Sequence, residues 1–194
     1  ARAATAGRPR NIVFVLTDDQ RFDALGCTGH PFLQTPHIDA LARGGVICDR
    51  AFVTTALCSP SRASILSSQY AHLHGVLDNN TLLPESTPTF PKELQRAGYR
   101  TAMIGKWHMG GSTDAPQPGF DRWVSFAGQG VYFDPKLNVD GERVDRQGYL
   151  SDILTGYAEE FIASNAEHPF LLIMSHKAVH QPFEPEPRYK GCYA

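Results

Sequence analysis

The stretch Asn11-Ile12-Val13-Phe14-Val15-Leu16-Thr17, followed at once by Asp18-Asp19-Gln20, sets the fold class. A continuous apolar run that is mostly β-branched or aromatic favours a strand over a helix. No polar residue alternates within it. Such a run is expected where a sheet is covered on both faces, so this strand is predicted to be parallel and central. In open α/β sheets ligands bind beyond the carboxyl ends of strands. Asp18 and Asp19 therefore stand where a site is expected.

The same arrangement recurs further along. Arg100 to Gly105 is predicted to be a short strand, and it runs into Gly105-Lys106-Trp107-His108 and a glycine-flanked loop ending at Gly111. Phe170 to Ser175 is another buried-strand pattern, and it runs into His176-Lys177-Ala178-Val179-His180. Helical signals lie between them. Thr35-Pro36 offers a cap and a first-turn proline for a helix that turns Ile38, Leu41 and Ala42 inward and stops at Gly44-Gly45. Ser59-Pro60 opens a second helix through Gln69, with Ala63, Ile65 and Leu66 as its apolar residues. A third runs from about Pro91 to Ala97. The longest, Ser151 to Asn165, places Ile153, Leu154, Tyr157, Ala158, Phe161 and Ile162 on one face. Val46 to Thr54 reads as one more extended segment, and residues 128–147 as loop with short strands. Helices alternating with apolar strands predict an α/β domain with a largely parallel sheet.

Bulk properties exclude several classes. The chain has 194 residues, 42% of them hydrophobic and 20% charged, which suits one soluble domain with a real core. A net charge of −2 leaves no footprint for nucleic acid. No apolar run is long enough for a membrane span. Phosphate-loop, dinucleotide and nucleophile-elbow motifs are absent. Residues 1–10 are small and basic, expected as a tail or the remnant of an export signal. Cys27 and Cys48 suit either a disulfide in an exported protein or two free thiols, while Cys58 and Cys192 add no zinc-ligand spacing.

The polar clusters carry the chemistry. Asp18 and Asp19 repel each other, and a hard divalent cation with oxygen ligands would relieve that repulsion; a solvated turn is the plainer alternative. In Cys58-Ser59-Pro60-Ser61-Arg62 a cysteine precedes a helix N-terminus, where anions gather and a thiol pKa is expected to fall. Arg62 can present a planar fork to a sulfate or phosphate oxygen, although a structural cysteine beside a surface arginine fits the spacing too. Lys106 and His108, two apart, would face one side of an extended loop and could bind an anion and move a proton, or merely decorate a surface loop. His176 and His180 have helical zinc spacing, but they follow a strand and Pro182 opposes a continuing helix, so a zinc pair is rejected.

Together these residues resemble the type I sulfatases, which share the alkaline-phosphatase-like α/β fold. Leu57 to Ala63 is similar to the main family signature, whose Cys-x-Pro-x-Arg core is read by the formylglycine-generating enzyme. Gly105 to His108 is similar to the second signature, and Asn11 to Gln20 and Pro169 to His180 resemble the first strand with its metal motif and the later strand with its histidine. The resemblance implies that Cys58 becomes formylglycine, whose hydrate attacks sulfur and then expels sulfate. It implies calcium on Asp18, Asp19 and the modified Cys58, with Arg62 supporting both. It gives Lys106 a sulfate-binding role, His108 the proton acceptance that triggers release, and His180 a contact to sulfate near the leaving oxygen. It also implies a further Asp-Asn metal pair and a second lysine from beyond residue 194, so that residues 11–194 form part of a catalytic domain, inactive by themselves. Gly128 to Pro135 and Ser175 to His180 are most similar to N-acetylglucosamine-6-sulfatases and other glycosaminoglycan sulfatases, which points to a sulfated saccharide as substrate. Such enzymes are secreted, periplasmic or lysosomal. A phosphonate or phosphate ester hydrolase of the same superfamily, or a non-catalytic fragment that binds sulfated glycans, are the rival expectations.

Overall fold

The computed structural model describes residues 9–193. Apart from Pro9 and Arg10, the tail expected over residues 1–10 lies outside the described residues. In chain order the elements are β1 (Ile12–Leu16), α1 (Pro36–Gly44), α2 (Cys58–Ser67), α3 (Ala71–His74), α4 (Phe90–Arg96), β2 (Arg100–Gly105), β3 (Arg122–Ser125), β4 (Lys136–Val139), β5 (Glu142–Asp145), α5 (Leu150–Ser164) and β6 (Phe170–Ser175). The six strands form one sheet in the order β1-β6-β2-β3-β4-β5. The first four in that order run parallel, and β4 and β5 close it as an antiparallel hairpin.

Apolar runs explain the centre. Every residue of β6 is buried, as is every residue of β2 after Arg100. One core packs α5 against the sheet through Leu154, Tyr157, Ala158 and Phe161, which meet Ala102, Ile104, Phe170 and Leu172. A second core joins Ala63 and Leu66 of α2 to Met103, Ile173 and the ring cluster of Trp107 and Trp123. Burial of each large side chain contributes about 1.5–3 kcal/mol, so α5 and α2 clamp the two faces of β2 and β6.

Three expectations need correction, and one strand was missed. β1 is parallel but lies at the edge of the sheet, and Val13 and Val15 remain 51% and 56% exposed. Among the described residues only β6 pairs with it. α1 forms where expected, but Ile38 and Leu41 are exposed, because the helix packs chiefly on the turn Gly26–Thr28. Val46 to Thr54 is irregular, since its β-branched residues find no partner strand. Finally, β3 went unread in the sequence. Cys27 and Cys48 both carry free thiols. Among the described residues no helix is long and apolar enough to cross a membrane.

Candidate active site

The strand order brings three polar clusters side by side. In register, Ser175 pairs with Leu16 on one side and Gly105 on the other. The residues that follow, Thr17-Asp18, Lys106 and His176-Lys177, therefore leave the sheet together. Gly105 makes this closeness possible. Its φ is +117°, and a Cβ there would stand 1.9 Å from the Ser175 carbonyl oxygen. The Lys106 amide donates to that same oxygen at 2.7 Å.

α2 brings Cys58 and Arg62 to the strand ends. The helix begins one residue earlier than Ser59-Pro60 suggests, so Cys58 is its first residue and Leu57 its N-cap. Ser59 is not the cap; its hydroxyl donates to the His108 carbonyl at 2.7 Å, and its amide is satisfied by Asn79 Oδ1 at 3.0 Å. These bonds fix the helix start to the His108 loop. The Arg62 guanidinium is buried and forked. Its Nη1 donates to the Lys106 carbonyl at 2.6 Å and to Ser175 Oγ at 2.5 Å, while Nη2 lies 3.4 Å from Asp18 Oδ2. One side chain thus ties α2 to the ends of β1, β2 and β6.

Lys106 is fully buried. Its Nζ donates to Asp18 Oδ2 and to Gln129 Oε1 and lies 3.6 Å from Cys58 Sγ. Asp18 is also buried. Burial alone would raise its pKa, but the Lys106 hydrogen bond and the Arg62 and Lys106 charges outweigh burial and hold it below the usual carboxylate value. Asp18 Oδ1 accepts from the Cys58 thiol at 3.7 Å. Asp19 is exposed and adopts φ +53°. Asp18, Asp19 and Cys58 each offer a ligand atom, all within 4.8 Å of one another, and they form the only such group among the described residues.

Two electrostatic details differ from the sequence reading. The Cys58 thiol is pushed up, not down, because burial outweighs the charges of Lys106 and Arg62 while Asp18 adds to the rise. His108 sits at φ +63°, so its loop is not extended there. The side chains still alternate: Trp107 enters the core, and Lys106 and His108 do not. Burial, then Lys106 and Arg62, lower the His108 pKa to about 4, so its ring is neutral at physiological pH. His108 Nδ1 is buried without a hydrogen-bond partner.

His180 completes the cluster. Its Nε2 lies 3.6 Å from Asp19 Oδ2, and its Nδ1 lies 2.9 Å from the Gln181 carbonyl. Asp18, Asp19, Cys58, Arg62, Gln129 and His180 line one cleft of about 670 Å³. A guanidinium, a buried carboxylate, a second carboxylate and an imidazole around one cleft can hold a tetrahedral oxyanion ester and exchange protons with it.

The family pattern described as Sulfatase matches residues 10–194. The chain belongs to the sulfatase family. Among curated sulfatases it is 40% identical over 187 residues to the N-acetylglucosamine-6-O-sulfatase of Bacteroides thetaiotaomicron, covering 94% of this chain and 33% of that one. It is 34% identical over 195 residues to the ulvan-active sulfatase of Formosa agariphila, covering 95% and 38%. A solved structure in complex with its substrate D-glucosamine-2-N,6-O-disulfate superposes with a TM-score of 0.90 at 38% identity, covering 96% of this chain and 38% of that one. The chain thus spans about a third of the length of the curated relatives it matches.

Of the seven residues expected from the sequence, Asp18, Asp19, Cys58, Arg62 and His180 line the cleft, Lys106 is buried against Asp18 and Cys58, and His108 is joined to the start of α2 through its carbonyl. Three contributors were not singled out. Gln129 takes a hydrogen bond from Lys106, Ser175 one from Arg62, and Asn79 satisfies the start of α2. Only Gln129 left a trace, in the glycines on either side of it, which adopt φ +56° and +64°.

Proposed function

We propose that the complete protein hydrolyses a sulfate ester on a saccharide, with a formylglycine derived from Cys58 as its nucleophile. The observation that carries this is the placement of Cys58 Sγ within 4 Å of both Lys106 Nζ and Asp18 Oδ1. A thiol whose pKa is pushed up by burial is a poor nucleophile at that spot. It is also the wrong donor beside two carboxylates, because hard cations choose oxygen over sulfur. Replacing the thiol by an aldehyde and its hydrate corrects both faults. When present, the hydrate supplies an oxygen nucleophile, and calcium supplies charge that polarises the sulfate.

This chain's own residues do the rest. Asp18, Asp19 and the modified Cys58 would hold the ion. Arg62 keeps Asp18 ionised and braces the helix that bears Cys58. Lys106 sets a buried positive charge beside the nucleophile, where it binds a sulfate oxygen. His108, neutral at physiological pH, accepts the proton whose loss frees sulfate. His180 faces the ester's leaving side, where its ring, once doubly protonated, would deliver a proton from Nε2. Calcium takes six to eight oxygen ligands, and three residues cannot fill that shell. The 194-residue chain alone is therefore expected to turn over little or no substrate.

The saccharide reading is supported by the N-acetylglucosamine-6-O-sulfatase and ulvan-active relatives. Export to the cell exterior, periplasm or lysosome follows from such substrates. The phosphonate alternative rests on a phosphonate monoester hydrolase structure at 24% identity, which supports the fold alone. Parallel assays of the complete protein on N-acetylglucosamine 6-sulfate, an aryl sulfate and a phosphate diester test the reading. Turnover of the phosphate diester alone would sink it.

A further inference from the structure

The loop after β6 carries His180 into the cleft, and three side chains outside the proposed chemistry grip it. Tyr132 is buried, and its hydroxyl donates to the His180 carbonyl at 2.5 Å. Tyr149 stacks on Tyr132, with ring centroids 5.7 Å apart and planes 11° from parallel. Its hydroxyl donates to the Glu184 carbonyl at 2.9 Å. Lys177 is only 2% exposed. Its Nζ donates to the Gln181 carbonyl at 3.1 Å and lies 4.8 Å from the Tyr132 ring centroid. Carbonyls 180, 181 and 184 are thus held in turn by one stacked unit.

Lys177 is the telling member. A buried ammonium is unfavourable without a carboxylate, and a carbonyl with a π-face offsets this only in part. Burial lowers the Lys177 pKa, with the Lys106 charge as a smaller cause. Packing alone would be served by methionine. What Lys177 gains is hold of the Gln181 carbonyl, the same oxygen that faces His180 Nδ1 at 2.9 Å. A carbonyl only accepts, so Nδ1 carries the hydrogen there. That leaves Nε2 as the ring atom aimed at the cleft, on the side of Asp19.

We propose that Tyr132, Tyr149 and Lys177 are positioning residues that fix the direction and tautomer of the His180 imidazole, with Lys177 acting through the Gln181 carbonyl and not on the substrate. The kinetic part of this rests on the reading of His180 as a group that meets the sulfate ester; the structural part does not.

The test uses the complete protein labelled with 15N-histidine, at a pH where imidazoles are neutral. His180→Ala assigns the His180 signals among the eight histidines. The wild-type ring is expected to show one protonated Nδ1 and one bare Nε2. Tyr132→Phe and Lys177→Met should each move both signals toward the averaged values of a free imidazole. Each should lower kcat on the sulfate ester about tenfold while KM stays within about twofold, as loss of one aligned hydrogen bond would do. Tyr149→Phe, at a half-buried ring, should act in the same direction by about threefold, and it keeps the test open if Lys177→Met does not fold. Unchanged His180 signals in all three variants would overturn the proposal, even if thermal stability falls. A raised KM with unchanged kcat in Lys177→Met would overturn it too, because it would put Lys177 on the substrate. Moved signals in a protein with no sulfatase activity would uphold the clamp while sinking the proposed function.

Discussion

Arg62→Met removes the guanidinium at the meeting point of α2, β1, β2 and β6. The arginine side chain is only 7% exposed, so water cannot easily take its place. Methionine fills most of the volume, which keeps the packing loss small. The polar loss is larger. The Lys106 carbonyl and Ser175 Oγ lose donors at 2.6 and 2.5 Å. A buried acceptor left unpaired costs about 1–3 kcal/mol. Breaking a buried ion pair costs about 3–5 kcal/mol, but Asp18 keeps Lys106, so only part of that applies. The expected total is about 3–4 kcal/mol of folding stability. Urea unfolding followed by tryptophan fluorescence reads it directly, since Trp107 and Trp123 are both buried. Arg62→Lys keeps a charge but loses the fork, and should give about half the loss. Arg62→Met combined with Asp18→Asn should fall short of additivity by about 1 kcal/mol or more. A loss below about 1 kcal/mol in Arg62→Met, with an unchanged denaturant slope, would refute the junction role.

Three more predictions concern the same region. Gly105→Ala should lose about 3 kcal/mol or more, measured by the same unfolding assay, because a Cβ at φ +117° meets the Ser175 carbonyl. Acidification should destabilise the fold through His108: its folded pKa of about 4 lies below the 6.5 of a free imidazole, so the unfolded state binds the proton first as pH falls through that window. Stability should drop by about 3 kcal/mol between neutrality and the lower pKa, and His108→Gln should remove that share of the fall in pH-dependent unfolding curves. Chelation should silence the complete protein, calcium should restore it, and Asp18→Asn should weaken calcium binding at least about tenfold by calorimetry.

The strand-end part of the polar site was legible because each of its three clusters sits directly after an apolar run. Ile12–Leu16, Arg100–Gly105 and Phe170–Ser175 are strands in the fold, and their neighbours in space are set by the order β1-β6-β2. What the sequence could not carry was pairing. Arg122-Trp123-Val124-Ser125 is too short and mixed to announce itself, yet it becomes β3 by pairing with β2 and β4. Val46 to Thr54 has the opposite history: β-branched residues without a partner strand stay irregular. Burial was equally hidden. The helix N-terminus at Cys58 suggested a lowered thiol pKa, but desolvation reverses the direction. Gln129 and Tyr132 reach the site from a loop with no periodic pattern, so only the fold shows their role.

The central claim is that Cys58 is an aldehyde precursor and not a working thiol. Mass spectrometry of the tryptic peptide Ala51–Arg62, from protein made in a host that has the formylglycine-generating enzyme, tests it most directly. The account predicts a peptide in which the sulfur and two hydrogens are replaced by one oxygen, with an aldehyde that reacts with hydrazides. A peptide that retains its thiol under those conditions, in protein that still hydrolyses the sulfate ester, would contradict it.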